Sequence, residues 1–515
     1  MGRGLRVLVV DFGGQYTHLI ARRCRELGVY SEIVEPEGVV AELGRGDVGG
    51  VILSGGPRSA YEPGSPTVDL GAIVSMGLPV LGICYGHQLI TRLFGGRVSR
   101  GSFGEYGRTL IEVIEHDSLL DGMPRRFNVW MSHGDAVVEP PPGFRITSVS
   151  EGGVITSMSD EERRIYSLQF HPEVAHTEHG MRILENFLRR ICGIEPWWSP
   201  GDRISELIEE IRRTVPEDER VICAVSGGVD SLTTAILVSR AIGDRLYCIF
   251  VDHGLLRKNE RENVEDSLRR FGVKNLIVVD ARRRFLEKLR GVSDPEEKRR
   301  IIGEEFIRVF EEEAGKIPGV RWLAQGTIYP DRIESGRASR AAALIKSHHN
   351  VGGLPERMNL KLLEPLRDFY KDEVREIARR LGFPDEIVKR HPFPGPGLAV
   401  RIIGEVTEEK LEICREANAI LEEELRRSGL YDRVWQAFAV VCDDKWVGVM
   451  GDRRIDGYIV IIRIVESVDG MTADWHRIDH GLLERISSRI TREVPGVTMV
   501  AYAVTPKPPS TIEPC

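Results

Sequence analysis

The chain has no long hydrophobic run. Its longest apolar stretches, such as residues 5–10 and 458–462, fall far short of the roughly 18 residues a membrane helix needs, so no membrane partner is expected. Aromatic residues make up only 7%, and the 8 cysteines among 515 residues stand singly with no CxxC pair, so neither a zinc site nor a disulfide framework is indicated. An excess of basic charge is also missing. The formal net charge is −8, which argues against a nucleic-acid binder held by a broad basic face. The opening Met1-Gly2-Arg3-Gly4 leads directly into a strand-like run without a signal-peptide pattern, and a cytoplasmic location is expected. What is present is an ordinary globular composition, 42% hydrophobic and 29% charged. The length exceeds what one hydrophobic core usually serves, so two to four domains are expected.

Short apolar runs over residues 5–10, 51–53 and 79–83 read as buried strands, and residues 15–27 and 88–94 read as helices. Strands separated by helices predict an α/β fold, a parallel sheet with helices on its faces and ligand groups at the carboxyl ends of the strands. One such end is Leu81-Gly82-Ile83-Cys84-Tyr85-Gly86-His87-Gln88. A cysteine between a strand and a helix, with glycines two residues away on each side, is the nucleophile-elbow pattern with sulfur in place of oxygen. The helix N-terminus favours the thiolate. A thiol of this kind needs a base, and the base needs an acceptor that holds its tautomer. Gln169-Phe170-His171-Pro172-Glu173, after a strand predicted over 164–168, supplies both: His171 and Glu173 are two apart and share a face in extended chain. Ser54-Gly55-Gly56-Pro57 closes the strand over 51–53, and the backbone of Gly55 and Gly56, with the amide of Tyr85, could meet a developing oxyanion. Each string alone has a plainer reading: a buried cysteine, a surface H-x-E pair, a tight turn.

Together with Asp11-Phe12-Gly13-Gly14-Gln15-Tyr16, Trp130-Met131-Ser132-His133-Gly134-Asp135 and His176-Thr177, these strings resemble a class I (triad) glutamine amidotransferase domain over about residues 5–193. The resemblance implies hydrolysis of glutamine to glutamate and ammonia through a cysteinyl thioester. It implies Cys84 as nucleophile, His171 as base, Glu173 as its orienter, and Gln88, His133 and Asp135 near the bound glutamine. His87 is a departure, since methionine is common there in the nearest relatives; the position lies beyond the elbow.

Glu195-Pro196-Trp197-Trp198-Ser199-Pro200-Gly201 breaks the pattern and places a domain boundary near residue 198. A helix over 203–215 follows, with Ile204, Leu207, Ile208 and Ile211 on one face. Then Arg220-Val221-Ile222-Cys223-Ala224-Val225-Ser226-Gly227-Gly228-Val229-Asp230-Ser231 runs from a strand through a glycine-rich turn into a helix predicted from about Asp230. Such a turn is an anion cradle to which Ser226 and Ser231 add hydroxyls. It is not the ATPase P-loop, because G-x-x-x-x-G-K-[ST] is absent. Asp230 within an anion cradle implies an accompanying cation, Mg2+, with Asp230 as its ligand. The string resembles the pyrophosphate loop of the N-type ATP pyrophosphatases, which implies ATP as substrate and ATP contacts from Ser226, Gly227, Gly228, Val229, Asp230, Ser231, Leu232 and Val251. Strands over 246–251, 275–279 and 322–325 predict a second doubly wound sheet.

Residues 295–303, 345–355 and 390–399 read as loops or loop edges, the last because three prolines within five positions remove backbone donors. The adjacent histidines of Lys346-Ser347-His348-His349-Asn350 point apart in extended chain and lack a third ligand, so metal binding is discounted there. These segments, with Asp469-Gly470-Met471-Thr472-Ala473-Asp474-Trp475 and Lys507-Pro508-Pro509-Ser510-Thr511-Ile512-Glu513, resemble the glutamine-hydrolysing GMP synthetase family in order over nearly the whole chain. That resemblance implies xanthosine monophosphate as acceptor, adenylylated by ATP and aminated by the ammonia to give GMP, AMP and pyrophosphate. It also implies a small C-terminal α/β domain that forms a homodimer, here with strands over 434–441, 446–450, 458–465 and 498–504 and helices over 408–427 and 481–493. Arg299, Gln436, Asp452, Lys507 and Glu513 are implied near the substrate nucleotide, with Glu513 ordering Lys507 or the base. Domains are expected over 1–198, 199–395 and 396–515. The alternatives are another glutamine-dependent ATP-pyrophosphatase synthetase, or a catalytically dead nucleotide sensor that would have lost Cys84, His171 or Asp230. The tail departs from the T-I-E-W-E common in relatives and reads Thr511-Ile512-Glu513-Pro514-Cys515.

Overall fold

Arg6–Val10, Val48–Leu53, Val80–Ile83 and Ile165–Leu168 are strands buried along their whole length, as their runs of Val, Leu and Ile require. The computed structural model describes residues 4–333, 360–467 and 472–514; the segment 345–355, residues 469–471 and Cys515 lie outside it. The chain forms two compact units, Met1–Ser199 and Pro200–Cys515.

In the first unit those four strands and Ser31–Val34 form the parallel part of a nine-stranded sheet. Beyond Ile165–Leu168 the sheet continues through Ile155–Asp160, Arg145–Ser150, Arg97–Val113 and Arg126–Glu139 with antiparallel pairing. The expected parallel sheet therefore carries an antiparallel extension. No α-helix interrupts residues 97–168, so successive strands there return by turns, and turns join antiparallel neighbours. The expected helix at 88–94 begins earlier, as Tyr85–Leu93.

The second unit holds a five-stranded parallel sheet in the order Asn275–Asp280, Leu246–Asp252, Arg220–Ala224, Val320–Ala324, Lys361–Leu363. Its other sheet pairs Gln436–Met450 antiparallel with Arg453–Glu466, which in turn pairs with Asp474–Trp475 and, in parallel, with Val497–Tyr502. The two strands expected over 434–441 and 446–450 are one strand, carried past Cys442-Asp443-Asp444 by a register shift. Residues 295–303, expected as a loop, open the helix Pro295–Ala314: proline occupies its first turn, and the Asp294 side chain accepts from the Glu297 amide at 2.8 Å. One cluster of buried side chains runs from Ile222 and Ile249 through Leu398 and Cys414 to Ile462 and Ile486, joining both sheets of this unit. Gly397 sits at the junction. Its φ is +66°, and a Cβ there would lie 2.3 Å from the Leu255 carbonyl oxygen, which explains a glycine directly after Pro396.

Candidate active site

Cys84 stands between strand Val80–Ile83 and helix Tyr85–Leu93 with φ 55° and ψ −103°, outside the ordinary range for a side-chain-bearing residue. The turn is possible because both flanking glycines touch backbone: a Cβ on Gly82 would lie 2.6 Å from the Gly86 oxygen, and one on Gly86 2.4 Å from the Leu53 oxygen. The buried thiol thus sits at a helix N-terminus, with its Sγ 3.7 Å from the Ser132 carbonyl oxygen.

His171 and Glu173 are buried together, Nδ1 to Oε1 at 2.7 Å. They meet through a turn at Pro172 and Glu173, not through the extended chain expected from their spacing. The His171 amide donates to Trp130 O at 3.0 Å, and its own carbonyl accepts from Thr177 Oγ1 at 2.6 Å. The Tyr16 ring meets the imidazole edge at 4.9 Å, and Arg23 Nε donates to the Glu173 carbonyl at 3.1 Å. Burial pushes the His171 pKa down, but the charge of Glu173 and contact with Cys84 outweigh it and raise it from 6.5 to about 10. The His171 imidazole is therefore protonated at neutral pH.

Gly55 lies against both reacting groups: a Cβ there would be 3.2 Å from His171 Cε1 and 3.7 Å from Cys84 Cβ. Gly56 packs on Phe12 and on the Tyr85 ring. Gln88 Nε2 donates to Asp135 O at 3.0 Å, and His133 Nδ1 donates to the same carbonyl at 2.8 Å. Tyr61 donates to Asp135 Oδ1 at 3.3 Å. Seven of the nine residues singled out for this half lie in the segments that follow the carboxyl ends of the adjacent strands Val48–Leu53, Val80–Ile83 and Ile165–Leu168, whereas His133 and Asp135 lie within strand Arg126–Glu139. Thr177 figured in the sequence only as part of a string, and Arg23, Tyr61 and Gln169 carried no signal of their own.

In the second unit the loop after strand Arg220–Ala224 turns at Gly227, φ +81°, and enters the helix Val229–Ile242. Ser231 Oγ accepts from the Ser226 amide at 3.2 Å and donates to Gly228 O at 3.0 Å. Asp230 lies within the first helical turn; Gly228 holds the cap position. One Asp230 carboxylate oxygen pairs with Lys371 and the other, Oδ1, is buried without a hydrogen-bond partner among the described residues. Lys371 opens the helix Lys371–Leu381, and no motif near residue 230 announces it. Leu232 is buried in the helix, and Val251 in strand Leu246–Asp252 beside Arg220–Ala224.

The expected nucleotide residues are only partly united. Glu513 accepts from Arg401 at 2.7 and 3.1 Å and from Gln436 Nε2 at 2.6 Å, so a cation that the sequence did not single out, Arg401, is one of its partners. Buried Arg463 donates to the carbonyls of Thr505, Thr511 and Ile512 at 2.8–3.0 Å and holds the tail in place. Lys507 pairs its backbone with Ala473. Arg299 lies near the start of helix Pro295–Ala314, 3.6 Å from Glu296. Asp452 stands apart, in the turn joining Gln436–Met450 to Arg453–Glu466, at the far end of the hairpin from Gln436.

Residues 8–191 match the family described as glutamine amidotransferase class-I, and residues 423–514 match the GMP synthase C-terminal domain. Over 510 residues the chain is 58% identical to a glutamine-hydrolysing GMP synthase of Pyrobaculum aerophilum, covering 99% of this chain and 100% of that protein. Proteins of the same name from Aquifex aeolicus and Thermotoga maritima are 56% and 58% identical over 507 residues, covering 98% of this chain and 99% of each.

Proposed function

This chain belongs to the glutamine-hydrolysing GMP synthase family, and from that premise we propose how its residues divide the reaction. It is a ligase that forms GMP with glutamine as nitrogen donor; xanthosine 5′-monophosphate and ATP are the other substrates. The glutaminase half is assigned to Cys84, His171 and Glu173. Cys84 passes its thiol proton to His171 before its sulfur adds to the side-chain carbonyl carbon of glutamine, and backbone N–H groups around Gly55, Gly56 and Tyr85 face the resulting oxyanion. His171 gives its proton to the nitrogen, the C–N bond breaks and ammonia leaves. Neutral His171 then takes a proton from water, whose oxygen displaces sulfur from the thioester and releases glutamate. Glu173 holds Nδ1 so that Nε2 faces the chemistry. The observation that carries this reading is the buried 2.7 Å His171–Glu173 contact beside a strained, elbow-borne Cys84.

The loop Ser226–Ser231 is assigned to the ATP phosphates. An oxygen of the substrate nucleotide attacks the α-phosphorus, pyrophosphate leaves, and ammonia then displaces AMP. Asp230 would hold Mg2+ through its unpartnered Oδ1; no cluster of three potential side-chain ligands exists among the described residues, so phosphate oxygens and water would complete the shell. When bound, the cation supplies charge that eases departure of pyrophosphate. Lys371, beside Asp230, is placed to meet the same phosphates. Gln436, Lys507, Glu513, Arg299 and Asp452 are assigned to the nucleotide substrate; the separation of Asp452 from Gln436 is met if it serves another copy of the chain. A homodimer through the C-terminal part belongs to the same proposal, supported by the exposed Trp446, Val447 and Val449 along strand Gln436–Met450. Domains over 1–198, 199–395 and 396–515 and a cytoplasmic location complete it; no helix among the described residues is long and apolar enough to cross a membrane. The test is pyrophosphate release from ATP and Mg2+ with xanthosine monophosphate, against deamido-NAD and aspartate. Release with either control and none with xanthosine monophosphate would refute the assignment.

A further inference from the structure

Gln169 precedes the catalytic histidine by two positions and is fully buried. Its Oε1 accepts from Gln88 Nε2 at 3.2 Å. The same Gln88 nitrogen donates to the Asp135 carbonyl at 3.0 Å. A backbone carbonyl can only accept, so the nitrogen end of Gln88, and not its oxygen, must face Asp135. Both N–H bonds of that nitrogen are then spent, one on Asp135 and one on Gln169. The Asp135 carbonyl is in turn fixed by His133 Nδ1 at 2.8 Å, and His133 Nε2 lies 3.3 Å from Glu105, whose other oxygen accepts from Ser150 at 2.7 Å. Gln88 is thus clamped from two sides, by a strand running through His133 and by Gln169 just past the end of strand Ile165–Leu168. The cost of this arrangement is visible: Gln169 Nε2 is buried with no partner among the described residues. A buried amide left half satisfied is retained for what its other half does.

We propose that Gln169 is a positioning residue of the glutaminase, acting through Gln88. It rests on the reading above that Gln88 faces the bound glutamine. With both its donors occupied, Gln88 offers the substrate only an acceptor oxygen, so the group it recognises is an N–H donor of glutamine. Without Gln169 the carboxamide is held by Asp135 alone and rotates, and the oxygen is no longer presented in one direction.

The test compares Gln169→Met, Gln88→Met and the double variant in the full chain, measuring glutamine hydrolysis with ATP and xanthosine monophosphate present. Methionine keeps the volume and removes the hydrogen-bonding groups. Gln169→Met is expected to raise KM for glutamine about tenfold, the scale of one buried hydrogen bond, with kcat changed less than about threefold. Because Gln169 works through Gln88, adding Gln169→Met to Gln88→Met should change KM no further. If Gln88→Met raises KM and Gln169→Met does not, the positioning role is wrong while the site assignment stands. If Gln88→Met leaves KM unchanged, the site assignment fails and the proposal with it. Should Gln169→Met fold poorly, Gln169→Glu retains the acceptor oxygen and is expected to keep KM for glutamine within about threefold; a tenfold rise with that variant would overturn the proposal.

Discussion

Cys84 and Asp230 each combine a functional side chain with a backbone position that other residues enforce. At Cys84 a positive φ persists because Gly82 and Gly86 press against neighbouring backbone on either side. Replacing the thiol alone leaves that scaffold intact. Cys84→Ala is therefore expected to abolish glutamine-driven GMP synthesis and to leave ammonia-driven synthesis close to its original rate, since only thioester formation is lost. Failure of ammonia to rescue a folded Cys84→Ala protein would contradict the division between the two sites. Asp230 is in the first turn of helix Val229–Ile242, capped by Gly228, so its carboxylate is not needed to start the helix. Asp230→Asn should fold normally and reduce synthesis from either nitrogen source by roughly a hundredfold or more, as expected when a phosphate-bound cation loses its carboxylate. Near-normal pyrophosphate release by that variant would reduce Asp230 to a partner of Lys371.

Elements, more than single side chains, decide how the elbow and the tail are held. A methyl group on Gly86 would meet the Leu53 oxygen at 2.4 Å, so strand Val48–Leu53 and helix Tyr85–Leu93 must separate to admit it. Gly86→Ala should lower stability by about 2–4 kcal/mol and abolish glutaminase activity, read by thermal unfolding and glutamate release. An unchanged melting temperature would show that the helix shifts without strain. At the other end of the chain, Arg401 and Gln436 hold Glu513, and Arg463 holds the carbonyls before it. No bond described here depends on the Pro514 side chain. Truncation after Glu513 should change KM for xanthosine monophosphate less than about twofold, whereas Lys507→Ala, which removes a cation from the proposed phosphate site, should raise it about tenfold or more. A larger effect from the truncation would reveal a role for the last two residues.

For the molecule as a whole, buried histidines set opposing pH dependences. Burial lowers His87 from 6.5 to about 3, and burial likewise lowers His253 and His391 to about 4. The unfolded chain takes up protons there that the native chain refuses, so the stability these groups contribute above pH 6.5 is lost as pH falls towards 4 and 3. His171 runs the other way: its contribution is full below 6.5 and is lost as pH rises through about 10. His87 Nδ1 bonds Ser167 Oγ at 2.8 Å, a single neutral hydrogen bond, so His87→Met should change stability at neutral pH by about 1 kcal/mol or less and weaken the loss on acidification. Melting temperatures between pH 4 and 8 would check this, and parallel curves for the two proteins would refute it. What the sequence determined by itself lies within short windows: the G-x-C-x-G elbow, the S-G-G-x-D-S loop and the Val-, Leu- and Ile-rich strands that pair in parallel in both units. Their chemistry is local, since a glycine two residues from a cysteine, or a hydroxyl five from its partner, acts through a few bonds of chain. Even there, the two-residue spacing of His171 and Glu173 was legible while the turn that joins them was not, because side-chain contact does not specify backbone path. Only the tertiary structure set Lys371 against Asp230, 141 residues away, and Arg401 against Glu513, 112 residues away. It also turned residues 97–160 into an antiparallel extension and put Asp452 at the far end of a hairpin from Gln436. Those pairings depend on which distant surfaces bury each other, and no short window of residues contains both partners.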